Sequence, residues 1–396
     1  MSGAPLRSYN ILRRLARDHE VYLAAFAETE EQKEGVAHLL EFCRDVVTIR
    51  HKSLKKELMN FGKLLMSILE GEPAELRLAF SEDLAGEIQK LADRVDFDVV
   101  LIEHGSMGMY LKALPARLRE RAVWVLHDID FDKFMRLAHI ERRTDTKIRA
   151  WAHARMMRRW QPHFASLFDF CVTMSHADRR LLLSANSSLR VEVSPNGVDT
   201  THYRPLPDGG DAPEMLFIGN MGYQPNADAA VYFCHEVLPL IRRGVGDAKL
   251  WIVGITPGES VRRLDGNGVF VTGGVPDVVP YYERSRVCVV PLRAGSGTRL
   301  KILEAMALGR PVVSTSIGCE GLDVTNGEHI LIADDAKQFS DHVVKLLNDR
   351  ALRSRIVTKA REFVVATYDW DVIAENLVSE LTAIASDPRD AELLAR

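Results

Sequence analysis

Apolar residues along this chain fall into short runs, separated by longer segments in which they recur every three or four positions. Runs at 21–26, 46–49, 99–102, 122–126, 170–174 and 191–194 form a first set, and runs at 215–218, 250–253, 269–271, 287–290, 312–314 and 330–332 a second. Near-continuous apolar runs of this length predict strands buried on both faces, and the periodicity between them, as at 229–241 and 336–347, predicts helices. Strand alternating with helix means an α/β protein whose parallel sheets are covered on both sides. Residues 194–210 divide the two sets and read as a linker, because Pro, Gly and Asn are frequent there. The chain is therefore expected to form two doubly wound domains, 1–195 and 196–366, followed by a helical segment at 367–396.

Ligands of such sheets bind beyond the carboxyl ends of the strands. Polar residues gather at those ends in this chain. Glu103-His104-Gly105 follows the run at 99–102, and His127-Asp128 follows the run at 122–126. Asn196-Gly197 follows 191–194, and Gly219-Asn220-Met221-Gly222 follows 215–218. At the start, residues 2–9 read as a loop, 10–18 as a helix and 21–26 as the first strand. A loop of that kind should itself follow a strand, so one strand is expected to be missing upstream.

The segment 291–311 breaks a local rule. It reads as the end of a strand, a Gly-rich turn at 294–298, a helix over 299–308 and a stop at Gly309 and Pro311. Thr298 is a suitable N-cap, which puts Arg299 and Lys301 in the first helical turn, against the positive end of the helix dipole. Acidic residues normally occupy that turn. Two cations there point to a bound anion, with phosphate held by the amides of 297–299, a bidentate Arg299 fork and the point charge of Lys301. The alternative is that both side chains swing into solvent, Lys301 pairing with Glu304 three residues on.

Bulk properties narrow the class. With 396 residues the chain is long enough for two domains. Its 46% hydrophobic and 27% charged residues are those of a globular protein. A net charge of −4 supplies no general basic field, so nucleic acid is not expected as a partner. The five cysteines are scattered, with no paired metal-ligand spacing, which fits a reducing cytoplasm and no structural zinc or disulfide. Neither a membrane-spanning run nor a signal peptide is visible. Between 133 and 159, arginines and lysines interleave with Trp151, Met156 and Met157, and 51–69 is also basic and amphipathic. Either stretch could face an anionic membrane surface or a lipid-diphosphate acceptor; a solvated face beside a core stripe is the other reading.

Taken together, these motifs resemble the retaining glycosyltransferases of family 4, the branch serving bacterial exopolysaccharide and cell-envelope sugar assembly. Pro195-Asn-Gly-Val-Asp199 is similar to the family's entry into its C-terminal domain, and Phe217 to Asn226 to the glycine turn after that domain's first strand. Leu303-Glu-Ala-Met-Ala307 with Gly309 and Pro311 is similar to the donor-site helix, and Ser2 to Tyr9 to the Gly-rich N-domain loop. His127-Asp128 resembles the cleft-facing strand end, and Tyr368-Asp369-Trp370 the start of the helix that crosses back to the first domain. The resemblance implies the GT-B fold, two Rossmann-like domains facing across a cleft. It also implies a nucleoside-diphosphate sugar, UDP- or GDP-linked, as donor, a glycan or polyprenyl-linked acceptor, and no metal or other cofactor.

Residue by residue, the resemblance assigns Glu304 to the ribose hydroxyls and His127 to orienting a sugar. Gly219, Asn220, Ser296, Gly297 and Thr298, with Gly3 and Arg7 from the first domain, fall on the donor. Glu103, His104 and Asp128 fall on the acceptor side. Two positions depart from the family pattern. Ser296 stands where a glutamate usually touches the donor sugar, and the glycine turn lacks the usual Arg and Lys, leaving Arg299 and Lys301 to hold the diphosphate. A non-catalytic nucleotide-sugar-binding scaffold and a GT-B-fold epimerase are the alternatives. A dinucleotide-dependent dehydrogenase is disfavoured because Gly295-Ser-Gly297-Thr-Arg-Leu300 lacks the fingerprint's third small residue.

Overall fold

The structure, a computed structural model, describes residues 3–27, 29–50, 73–140, 143–210, 212–295 and 299–385. The chain divides into two compact units: residues up to Pro195 together with those from Ile373 onward, and Asn196–Val372.

In the first unit, β1 (Tyr22–Phe26) and β2 (Asp45–Ile49) pair in parallel. A separate parallel sheet has the order β3 (Val100–Glu103), β4 (Ala122–Leu126), β5 (Phe170–Thr173) and β6 (Val191–Val193). Every residue of β4 and β5 is buried, as the unbroken apolar runs require. Trp124 at the centre of β4 stacks on Phe168 at 5.1 Å and meets Phe164 edge-on at 5.5 Å, joining the sheet to the helix Thr144–Ala165.

The first segment differs from expectation. Gly3–Leu15 is one continuous helix, so Ser8 and Tyr9 are helical and not part of a loop, and Gly3 opens that helix. Pro5 lies in the first turn, where its missing N–H has no intrahelical partner to lose. Arg7, Asn10, Ile11 and Leu15 form one buried face at helical spacing. The amphipathic stretch 51–69 lies outside the described residues.

The second unit holds one parallel sheet with the order β12-β11-β10-β7-β8-β9. These strands are β7 (Glu214–Ile218), β8 (Lys249–Val253), β9 (Val269–Gly273), β10 (Val287–Val290), β11 (Val312–Ser314) and β12 (Leu331–Ile332). The order reverses between β7 and β10. Their carboxyl ends are therefore the switch point where a doubly wound sheet takes its ligand. The helix predicted over 229–241 is broken into Gln224–Tyr232, a π-helical turn Phe233–Val237 and Leu238–Gly244. Pro239 explains the break: it has no N–H, and its ring crowds the carbonyl one turn earlier, so a wider turn absorbs it.

The dividing segment is fixed to the second unit. Arg310, 1% exposed, donates to the carbonyls of Tyr282 at 2.6 Å and Pro207 at 2.7 Å, and Arg353 grips Asp208 at 2.9 Å. Tyr368 ends the helix Arg350–Tyr368, so the last helix is Trp370–Ala385 and not a segment beginning at 367. Asp369 caps that helix by accepting from the Asp371 amide at 2.8 Å, while its other oxygen accepts from the Thr200 amide at 3.1 Å. From Ile373 the helix belongs to the first unit. Among the described residues, no helix is long and apolar enough to cross a membrane.

Candidate functional site

At the switch point the turn after β7 and the helix after β10 meet. The Gly219 amide donates to the Val253 carbonyl at 3.0 Å, continuing the ladder past the end of β7. The Asn220 side-chain oxygen then closes the turn, accepting from the Gly222 amide and from Thr256 Oγ1, both at 2.9 Å. Backbones approach so closely here that a Cβ on Gly254 would fall inside the Gly219 carbonyl oxygen. Asn226, on the helix Gln224–Tyr232, bonds both sides: its Nδ2 donates to the Asn220 carbonyl at 2.9 Å, and its Oδ1 accepts from Lys301 Nζ at 3.0 Å.

Lys301 sits half-buried in this pocket. Its ammonium lies 4.9 Å from the centre of the Phe217 ring. Among the described residues it forms no ion pair. Burial, reinforced by repulsion from Arg299, pulls its pKa down to about 7. A Cβ at Gly219 would come within 2.8 Å of Nζ, so this glycine makes room for the lysine head.

The helix after β10 starts later than the sequence suggests, at Leu300–Ala307, with Arg299 as its N-cap residue and no side-chain cap bond. Ser296, Gly297 and Thr298 lie outside the described residues, and so does the capping role expected of Thr298. Arg299 is therefore at the cap and not in the first turn, and at 7% exposure it does not swing into solvent. Lys301 remains in the first turn but bonds Asn226, so the pairing with Glu304 is not formed. Instead Tyr282 places its hydroxyl 3.4 Å from Glu304 Oε2 and 3.3 Å from the Lys301 carbonyl oxygen. Burial pushes the Glu304 carboxyl above its usual range.

The first unit carries a second polar cluster. Glu103 is the last residue of β3 and not the residue beyond it; the sheet register sets it against Val125, two residues before His127. Glu103 Oε2 accepts from His127 Nε2 at 2.7 Å and from Ser8 Oγ at 3.1 Å. Although burial pushes the carboxyl up, hydrogen bonds and the nearby Arg7 bring it below its usual pKa. His104 stacks on His127 with ring centres 5.8 Å apart and bonds Ser106 Oγ at 3.1 Å. Its backbone is left-handed, at φ 86°, held by its amide on the Val125 carbonyl and by the Trp124 indole on its own carbonyl.

Two of the assigned residues have partners inside the unit. Arg7 was assigned to the diphosphate, yet it is fully buried and its guanidinium donates to Pro195 O at 2.6 Å and Ser194 Oγ at 2.9 Å, tying the first helix to the end of the unit. Asp128 is spoken for by Lys133, at 3.0 Å. Three residues that complete these clusters, Ser8, Asn226 and Tyr282, were not singled out. Asn226 lies at the end of the glycine-turn motif, three residues beyond Tyr223, and Ser8 lies within the N-terminal motif 2–9; Tyr282 carries no signal a single sequence would betray.

A doubly wound sheet whose switch point holds a glycine turn and a lysine opening a helix places the chain among the Rossmann-like α/β proteins. The chain belongs to glycosyltransferase family 4. The profile described as Glycosyltransferase Family 4 matches residues 1–202, and that described as Glycosyl transferases group 1 matches residues 212–349. It is 30% identical over 233 residues to the GDP-mannose-dependent alpha-(1-6)-phosphatidylinositol monomannoside mannosyltransferase of Mycobacterium tuberculosis, covering 52% of this chain and 60% of that one. It is 27% identical over 175 residues to an uncharacterised protein of the Klebsiella pneumoniae cps region, covering 42% and 45%. The chain thus spans about half the length of the curated relatives it matches. Among solved structures, Anabaena HepE in complex with UDP and glucose superposes with a TM-score of 0.64 at 15% identity, over 96% of each chain. That likeness is one of fold, the GT-B architecture of two Rossmann-like domains.

Proposed function

We propose that this protein moves a sugar from a nucleoside-diphosphate sugar to a glycan or lipid-linked acceptor, in polysaccharide or cell-envelope assembly. The observation that carries the reading is Lys301: a cation in the first turn of a helix, at the switch point, bonded to an amide and, among the described residues, matched by no carboxylate in an ion pair. Departure of a diphosphate builds negative charge, and preorganised positive groups are the strongest means of lowering that barrier. Lys301, Arg299 and the helix terminus supply that charge, so the reading calls for no metal ion and no cofactor. Glu304 takes the ribose hydroxyls, and Gly219 and Asn220 let the diphosphate approach the backbone. His127 orients a sugar, and departure and attack on one face give retention. The leaving nucleotide is UDP or GDP: the mycobacterial relative is named for GDP-mannose, and HepE was solved with UDP.

The reading extends to where the protein works, the cytoplasmic side of a membrane. Ile148 and Trp151, 60% and 48% exposed, stand among the arginines of the helix Thr144–Ala165, a composition suited to peripheral contact with anionic lipid.

The test is titration with UDP-, GDP- and ADP-sugars by thermal shift, followed by transfer assays on lipid-linked acceptors. A ligand that binds only the folded state raises its melting temperature. One sugar nucleotide should do so and yield a glycosylated acceptor. Binding without any transfer would favour the non-catalytic scaffold, and conversion of the donor with no acceptor present would favour the epimerase. No binding by any of them would overturn the assignment of the switch point.

A further inference from the structure

We infer that Glu103 is a positioning residue for His127: it fixes the imidazole with its proton on Nε2 and leaves Nδ1 as a hydrogen-bond acceptor. This rests on the reading of His127 as the residue that orients a sugar, and it moves Glu103 from the acceptor side to a place behind the histidine.

Four observations carry it. Glu103 Oε2 is 2.7 Å from His127 Nε2. The carboxylate is the last residue of β3, so the sheet itself sets its position against β4. It is held from behind by Ser8 Oγ at 3.1 Å, on the first helix, whose neighbouring Arg7 is buried with its guanidinium bonded to Ser194 and Pro195. Finally, His104 lies across the His127 ring at a 30° interplanar angle, limiting rotation of the imidazole.

An ionised carboxylate can only accept, so the nitrogen facing it must be the one that carries hydrogen. The neutral ring then has a lone pair on Nδ1, for which no hydrogen bond is found among the described residues. A hydroxyl of a sugar could donate to that lone pair. Were the tautomer reversed, the ring would offer a donor and reject the same hydroxyl. Fixing one tautomer through a carboxylate behind the ring is a general device for setting which face of a histidine does chemistry.

The test uses the full chain labelled with ¹⁵N-histidine, the His127 signals being assigned by their loss in His127→Gln. At a pH where the ring is neutral, the wild type should show a protonated Nε2 and a bare Nδ1. Glu103→Gln can donate as well as accept, and should mix the tautomers. It should lower kcat about ten- to a hundred-fold, the worth of one hydrogen bond to a charged group, with donor KM little changed. Glu103→Asp, which restores the charge, should recover the Nε2 proton and part of kcat, and it serves also if the glutamine variant does not fold. A wild-type spectrum with the proton on Nδ1 would overturn the proposal, as would a glutamine variant with unchanged tautomer and unchanged kcat. If the tautomer behaves as stated while the wild type transfers no sugar, the positioning stands and the transfer reading falls.

Discussion

The two polar clusters handle charge in opposite ways. In the first unit's cluster Glu103 is bonded by His127 and Ser8, Asp128 by Lys133, and Arg7 by a carbonyl and a hydroxyl. In the second unit Lys301 opens a helix, its ammonium bonded to the Asn226 amide and set against the face of Phe217, and among the described residues it forms no ion pair. Burying an ion without a counter-ion is costly, and a fold tolerates that cost most readily where a ligand will provide the missing charge. On the proposed reading, the matched cluster positions a group and the unmatched one takes an anion. The contrast separates a cluster built to orient from one built to bind.

The largest effect should come from removing the unmatched charge. Lys301→Met keeps the length of the stem and discards the ammonium. Nucleotide-diphosphate affinity should fall by about 1.5–3 kcal/mol, roughly ten- to a hundred-fold, as for a lost hydrogen bond to a charged group. Stability should move the other way, with Tm rising about 2–4 °C for each kcal/mol of relieved desolvation. Calorimetry and thermal melting on the same samples check both. If Tm falls and affinity holds, Lys301 is structural and the contrast between the units is lost.

Much of the fold was legible in the sequence, because parallel strands buried on both faces announce themselves as apolar runs and Pro and Gly mark the breaks between them. Lys301 was legible for a different reason: a cation at the positive end of a helix violates a local preference, and the violation is visible without coordinates. What could not be read depends on partners remote in sequence. Arg7 looked like a diphosphate ligand because it sits in a Gly-containing N-terminal segment; nothing there reveals that Ser194 and Pro195 are waiting for its guanidinium. Glu103 and His127 were each seen at a strand end, but only the register of β3 on β4 shows that they touch. The π turn at Phe233–Val237 was hidden because apolar periodicity carries on unchanged through Pro239.

The next effect is a dependence on pH. With its pKa near 7 in the free protein, Lys301 is largely neutral above neutrality, yet a bound diphosphate favours the charged form. Binding must then take up a proton, and Kd should rise up to about tenfold per pH unit above 7 until the pKa of the complex is reached. Titrations in buffers of different ionisation enthalpy would measure the proton directly. Stability of the free protein has the opposite slope. Below about 7 the lysine is charged in both folded and unfolded chains. Between there and its ordinary value of 10.5, the unfolded chain holds a proton that the native one has shed, so this group makes stability climb with pH. Lys301→Met should abolish both slopes. A wild type whose affinity is flat between pH 6 and 9 would remove the lysine from the site.

The smallest effect is expected at Asp128, and it sharpens the comparison from the other side. Its carboxylate was assigned to the acceptor, yet it pairs with Lys133 at 3.0 Å, with the two side chains 25% and 41% exposed. Pairs this open to water contribute about 0.2–1 kcal/mol, because solvent already satisfies both ions and two side chains lose freedom to meet. Asp128→Asn should therefore cost at most that much in stability. If the pair is only a local match, acceptor KM should change less than about threefold, within the smaller end of that range. A rise of tenfold or more in acceptor KM, at unchanged melting temperature, would mean that Asp128 leaves Lys133 for the acceptor. The first unit would then also contain a charge held ready for a ligand, and the division between orienting and binding clusters would no longer follow the division between the units.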